Sequence, residues 1–354
     1  MEPTIKQLVL KRFRSIPSER ITFDNPTIFV GRNGSGKSNL VSAFAFLADA
    51  MASPLQAVFD KAGGISTVRN RTSGRSYPPN LGLRVDFGRL NGKASSGFYA
   101  VEVRALKNYG FSVVREQCSV GSAWFDRIGT KFTSNVGGMK PALDPASLSL
   151  PLVGGEAKFA PVLRTLASMR VYSIEPRKLR EMQDPDSGTS LKFDGSNVTS
   201  VLKEIERQSD RDLKRISDIL ATIVPNTKQV EVKKHGKNLS LEFTQEWGKK
   251  KRLKFEGFSM SDGTLRAIGL LSAVFQRPVP SLIAIEEPEA TIHPGALESV
   301  LDLLRHASNH MQVVITTHSP ELLDAKWVTE RHLRIVEWTE GATRVAPISE
   351  ATRN

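Results

Sequence analysis

The stretch TIFVGRNGSGKSNLVSAFAFLADAM, residues 27–51, constrains the fold more than any other part of the chain. A short apolar run ends in GRNGSGKS, Gly31 to Ser38, which fits the pattern G-x-x-x-x-G-K-[ST]. From Ser38 to about Met51 apolar residues recur at helical spacing. Strand, glycine loop and helix in that order are what a phosphate-binding loop requires. Its backbone N–H groups can wrap a phosphate, Lys37 can reach the β and γ phosphates, and Ser38 can hold Mg²⁺. The glycines allow a close backbone approach that side chains would block. The loop predicts a nucleoside triphosphate as ligand.

Two further apolar strands end in polar residues. In SLIAIEEPEA, residues 281–290, a buried-strand pattern stops at Glu286 and Glu287. One carboxylate at a strand end can hold the water shell of Mg²⁺, and its neighbour can orient or deprotonate an attacking water. In MQVVITTHSPELLD the strand ends at Thr317, His318 and Ser319. A lone histidine there is ordinarily structural, and His318 becomes a candidate for the γ-phosphate or attacking water only beside the other two elements. His293, in TIHP, reads as a local structural or interface residue. A fourth segment, FSMSDGTLRAIGLLSAV (residues 258–274), places Ser261, Asp262 and Gly263 at the head of an apolar helix. Free N–H groups at such a helix start attract an anion.

The rest of the chain alternates strand and helix patterns. IKQLVLKRF and ITF open as strands, and residues 81–125 alternate as an antiparallel meander. Residues 126–160, rich in Gly, Pro and Ser, read as loop. SNVTSVLKEIERQSDRDLKRISDILATIV reads as helix, and QVEVKKHGKNLSLEFTQEWGKKKRLKFEGF as a small hairpin system. Strands alternating with helices around a phosphate loop imply a mainly parallel α/β core.

Composition narrows the partners. The net charge of +12 and pI near 9.8 suit polyphosphate ligands or nucleic acid. The one cysteine, Cys118, excludes a disulfide framework and a cysteine zinc site. The longest apolar run, around Ala267 to Phe275, is far too short for a membrane span, and the N-terminus lacks a signal-peptide pattern. The expectation is a cytoplasmic protein without a membrane partner. GKKKRLK, residues 248–254, is either a DNA-contacting edge or a solvated hairpin, the second preferred. Arg177, Lys178 and Arg180 are candidates for lining a DNA or nucleotide groove. The aromatics form no series for stacking single strands, so any DNA contact is expected to be to the duplex backbone.

In this order the motifs resemble the ATP-binding-cassette ATPases of the SMC, RecF and OLD type. The resemblance runs through LVLKRFRSI, GRNGSGKSN, VYSIEPRKLR, SMSDGTLRAI, IAIEEPEATIHP and VVITTHSPELL. It is most similar to compact AAA-family, RecF-like ATPases without a long coiled-coil arm. The resemblance implies a P-loop NTPase of ABC/SMC-head type: a mainly parallel central sheet, an antiparallel β meander and a helical lobe. It implies one ATPase domain over 1–354, with a core lobe of about 1–165 and 276–354 and a helical lid of about 166–275.

By the same resemblance, Gly31, Asn33, Gly34, Ser35, Gly36, Lys37, Ser38 and Asn39 hold ATP, with Ser38 and Glu286 on Mg²⁺. Glu287 takes the place of the catalytic glutamate, and His318 matches the switch histidine beside Lys37 in catalysis. SDGTLR matches the signature motif, whose Ser261, Asp262 and Gly263 meet the γ-phosphate bound on a second copy. A homodimer would then sandwich two ATP molecules. One departure is the absence of a clear Q-loop glutamine, Gln183 being the nearest candidate. The resemblance leaves two roles open: ATP-driven clamping of double-stranded DNA, or an anti-phage sensor controlling a separate effector such as a nuclease. The segment after His318 is too short for the Toprim nuclease domain of OLD-type relatives.

Overall fold

A computed structural model describes residues 4–70, 79–90, 93–107, 110–248 and 251–348. The chain forms two compact units, residues 1–169 with 329–354, and residues 170–328.

The first unit opens with β1 (Ile5–Phe13) and β2 (Ile16–Thr22), then β3 (Thr27–Val30). Leu8, Leu10 and Phe13 of β1 are buried while Lys6 and Lys11 face solvent, as a half-buried strand requires. After β3 comes α1 (Lys37–Ala52), then the short α2 (Leu55–Lys61) and α3 (Ile65–Val68). α1 buries Leu40, Phe44 and Leu47, and Phe44 meets Phe23 edge-on at 5.7 Å. The meander follows as β4 (Asn80–Leu90), β5 (Lys93–Ala105), β6 (Phe111–Val120), β7 (Ala123–Ile128) and β8 (Lys131–Ser134). It is larger than its own segment, because β1 pairs antiparallel with both β2 and β4 to give one seven-stranded sheet.

Residues 126–160 correct the loop expectation. β7 continues to Ile128, β8 pairs with it, and α4 (Leu150–Val153) and the start of α5 (Ala160–Ala167) follow. Phe125 explains why, since it is buried and packs on Phe132 and Phe159 at 5.3 Å each. Tertiary pairing here overrides a loop-like composition. Arg127, fully buried, donates to the carbonyls of Gly129, Ser147 and Asp144 and lies 3.8 Å from the buried Glu116 carboxylate. That carboxylate also accepts from Tyr99 Oη and from the backbone N–H groups of Ser149 and Leu150. The network ties the 144–150 segment to the sheet.

The second unit runs β9 (Arg170–Tyr172), α6 (Pro176–Arg180), α7 (Val198–Gln208) and α8 (Asp210–Ile223). The helical stretch read as continuous is broken at Ser209, whose Oγ accepts from Asp212 N–H at 3.2 Å and caps α8. β10 (Thr227–His235), β11 (Asn238–Trp247) and β12 (Lys251–Glu256) form an antiparallel sheet of three. Then come α9 (Asp262–Phe275), β13 (Leu282–Glu286), α10 (Pro294–Ala307), β14 (Gln312–Thr317) and α11 (Pro320–Leu323). β13 pairs in parallel with β14 on one side and β9 on the other. Every residue of β14 is buried, as expected of a parallel strand covered on both faces.

The chain returns to the first unit with the hairpin β15 (Leu333–Thr339) and β16 (Ala342–Pro347). β15 lies parallel to β3, with Leu333 opposite Ile28 and Ile335 opposite Val30. The C-terminal hairpin is thereby fixed beside the strand that feeds the glycine loop.

Candidate functional site

In the first unit the loop between β3 and α1 has the backbone of a phosphate cradle. Gly34 and Gly36 sit at φ 81° and 99°, in the left-handed region that side chains avoid. A Cβ at Gly31 would collide with the Val336 carbonyl of β15, and one at Gly36 with the Thr343 hydroxyl of β16. Gly36 caps α1, so the orphan N–H groups of that helix start at the loop. Lys37 is buried, and its Nζ donates to the loop carbonyls of Gly31 at 2.6 Å and Arg32 at 3.0 Å. Its ammonium is thus held across the loop mouth. Ser38 is exposed on the first turn of α1, and Arg32, Asn33 and Gly34 are exposed at the loop tip. Ser35 Oγ is buried without a hydrogen-bond partner. The cradle, the helix start and this orphaned hydroxyl fit a bound phosphate.

Asn39, the last residue of the run expected at the nucleotide, has its side chain turned to the protein. Its Nδ2 donates to Ser15 Oγ at 2.7 Å, and Ser15 Oγ lies 2.7 Å from Thr343 Oγ1. Thr343, fully buried, donates in turn to the Ser35 carbonyl at 3.0 Å. Ser15 and Thr343 therefore brace the glycine loop from the β1–β2 turn and the C-terminal hairpin. No local sequence signal marks Thr343, since its partner lies 308 positions away.

In the second unit Glu286 ends β13 opposite Thr316, and Glu287 follows it. Glu287 donates its N–H to Thr316 O at 3.0 Å and adopts φ 45°. A non-glycine residue in that region is strained, and such strain concentrates at functional positions. Glu287 Oε1 and His318 Nδ1 are 3.1 Å apart, so the two strand ends bring together a pair separated by 31 residues. Both side chains reach solvent, His318 at 44% and Glu287 at 35% exposed. A carboxylate held on an imidazole and open to water is equipped to orient or deprotonate that water.

Two side chains around this pair escaped the sequence reading. Arg266, within SDGTLR, donates Nη1 to Glu287 O at 3.2 Å, and its Nε is buried without a partner. Burial pulls its guanidinium below the ordinary arginine value, opposed by the carboxylates of Glu287, Glu289 and Asp262. Glu289 accepts from Thr317 Oγ1 at 2.6 Å, while its Oε2 is buried and unpaired. Its place two residues after Glu287 was the available signal. Among the described residues no group of three or more His, Cys, Asp or Glu could hold a metal by itself.

The signature segment has internal roles as well. Ser261 caps α9, its Oγ accepting from Thr264 N–H at 3.2 Å, and both Ser261 and Asp262 are exposed. A Cβ at Gly263 would stand 2.6 Å from the Thr291 carbonyl, so close packing requires glycine there. Asp262 pairs with Arg180 at 2.6 Å, which gives Arg180 a local partner rather than a free groove position. Lys178 approaches Glu181 at 3.9 Å on the surface. His293 caps α10 by accepting from Gly295 N–H at 3.1 Å, the structural part expected of it.

Gln183 is committed to packing. It is buried, its Nε2 donates to Lys178 O, and its Oε1 accepts from both the N–H and the hydroxyl of Thr199. In the basic hairpin Lys254 pairs with Glu231 and Glu242, and Arg252 with Glu246. Cross-strand glutamates neutralise those two cations, while Lys249 and Lys250 lie outside the described residues. No helix among the described residues is long and apolar enough to cross a membrane.

A glycine loop feeding a helix, and a buried parallel strand ending in two adjacent acids, define the fold class: a P-loop NTPase fold of ABC/SMC-head type. Solved structures agree on the fold. An Smc head bound to the C-terminal winged-helix domain of ScpA superposes with a TM-score of 0.64 at 16% identity, covering 99% of each chain. A Pyrococcus furiosus Smc head with an extended coiled coil, bound to the C-terminal domain of ScpA, gives 0.59 at 14% identity over 99% of this chain and 97% of that one. An SMC head domain from Thermotoga maritima gives 0.51 at 15% identity over 99% and 100%. No curated protein sequence matches the chain. Residues 27–117 and 145–324 match the family described as "AAA domain, putative AbiEii toxin, Type IV TA system", and the chain belongs to that family.

Proposed function

We propose that the protein binds ATP with Mg²⁺ and hydrolyses it, two copies closing around two nucleotides. The observation that carries this reading is the Glu287–His318 pair at 3.1 Å on a strained strand end, in a chain that also holds a preformed glycine loop. Lys37 and the loop N–H groups, with Gly31, Asn33, Gly34, Ser35 and Gly36, would hold the phosphates. Asn39 would act through Ser15. Ser38 and Glu286 would hold Mg²⁺, which supplies charge neutralisation on the phosphate oxygens. Glu287 would take the proton of the attacking water, His318 orienting its carboxylate. Exposed Ser261, Asp262 and the α9 N–H groups would meet the nucleotide of the second copy. On this reading 1–354 is one ATPase domain, with 166–275 as its lid. Lys37→Ala abolishes ATP binding in equilibrium titration, and unchanged binding refutes the assignment.

The ligand that the cycle serves is proposed as double-stranded DNA, supported by the net charge of +12. Arg252 and Lys254 of β12 are already paired with glutamates, which weakens that hairpin as the expected contact. A second reading draws support from the family's description as a toxin of a toxin–antitoxin system. There the ATP state controls a separate effector, such as a nuclease, in anti-phage defence within the cytoplasm. ATP turnover with and without linear duplex DNA separates the two. Stimulation lost in Glu287→Gln supports the first reading, and turnover indifferent to DNA supports the second.

A further inference from the structure

The glycine loop opens onto a cavity of about 610 Å³, lined by residues 30–35 on one side and 335–339 of β15 on the other. That volume lies in the range of small-molecule sites. Phosphate contacts account for only its loop wall. The opposite wall carries Trp338, which is 53% exposed although it stands in a paired strand. An indole left in water at a cavity wall is a large apolar face without a protein partner for half its area.

The register fixes which way this wall faces. Trp338 is directly opposite Thr343 in the β15–β16 ladder, and residues opposite each other share one face of a sheet. Thr343 uses that face to reach the glycine loop, donating to Ser35 O and abutting Gly36. Val336, two residues before Trp338, turns its buried side chain to the same face, and its backbone carbonyl abuts Gly31 from the strand edge. Trp338 is thus the next side chain outward on the face that holds the loop. Arg32, exposed at the loop tip, adds a cation to the same cavity.

We infer that Trp338 is the stacking platform for the base of the nucleotide whose phosphates occupy the glycine loop. The ligand class is a nucleoside triphosphate with a planar base, the indole face supplying one side of the stack. Arg32 supplies charge toward the phosphates. The inference rests on the nucleotide reading above and extends it to a specific residue that no loop motif contains. Aromatic stacking makes little distinction among bases, so the platform adds affinity rather than base selectivity.

The test compares two probes on the full chain, ATP and inorganic triphosphate, by equilibrium titration with wild type, Trp338→Ala and Trp338→Phe. Wild type is expected to bind ATP more tightly than triphosphate. Trp338→Ala weakens ATP binding by about ten- to a hundredfold and leaves triphosphate binding within about twofold. Trp338→Phe recovers most of the ATP affinity, because a ring still stacks. Equal losses for both probes overturn the platform, since they report damage to the loop instead. ATP binding unaffected in Trp338→Ala also overturns it, as does a wild type that prefers ATP no more than triphosphate. In those cases the phosphate-loop reading stands. Binding of neither probe by wild type removes both.

Discussion

Replacing Thr343 with valine removes a buried hydroxyl while keeping the side-chain volume. The hydroxyl donates to Ser35 O at 3.0 Å and meets Ser15 Oγ at 2.7 Å, where Asn39 also converges. The variant leaves the buried Ser35 carbonyl unpaired and puts a methyl group against Ser15 and Gly36. An unsatisfied buried acceptor costs about 1–3 kcal/mol. The Ser35 carbonyl belongs to the loop, so the penalty falls on the loop shape that receives phosphate. Borne entirely there, it weakens ATP binding roughly 5- to 150-fold. Calorimetric titration of ATP into wild type, Thr343→Val and Thr343→Ser measures it. The serine variant keeps the hydroxyl and is expected to recover most of the affinity. A valine variant that melts lower but binds ATP within about twofold of wild type refutes the bracing role and leaves Thr343 an ordinary packing residue.

Other consequences follow from the first unit. Glu116→Gln places an amide donor against the donors of Ser149, Leu150 and Tyr99 and leaves Arg127 buried without its carboxylate. It is expected to destabilise folding by about 3–5 kcal/mol in a urea titration, and a loss under about 1 kcal/mol contradicts the network's importance. Cys118 is buried in β6, and burial pushes its thiol up to about 12. The native protein should resist thiol labelling at pH 8 and react on denaturation, so fast native labelling at that sole cysteine would mean that the sheet opens.

The parts of the site legible in the sequence were those carried by a contiguous motif. GRNGSGKS gave the loop, its glycines and Lys37 because phosphate binding is done by neighbouring backbone groups. The apolar runs before Glu286 and Thr317 marked two strand ends, and the parallel pairing of β13 with β14 and with β9 placed them in the sheet. Ser261 was legible as a cap from its place before an apolar helix. Thr343, Trp338 and Ser15 were not, because each acquires its role from strands that pair across the whole length of the chain. Asn39 was read as a ligand residue from its place in the motif, whereas its side chain holds Ser15. The strands within 126–134 were hidden by a composition rich in small residues. Their signal is the packing of Phe125, which no local pattern reports. At Gln183 and in the basic hairpin the fold supplies internal partners that the sequence could not name. They are Lys178 and Thr199 for the glutamine, and glutamates for Arg252 and Lys254 in the hairpin preferred as solvated.

The central claim is that Glu287, held by His318, activates water against an ATP phosphate. Steady-state ATP hydrolysis by the purified full chain with Mg²⁺, measured beside Glu287→Gln and with ATP binding titrated in both, tests it most directly. The account predicts turnover by wild type, a fall of about 10²–10⁴-fold in the variant and retained ATP binding. Equal turnover in the two proteins, or no turnover by a wild type that binds ATP, would contradict it.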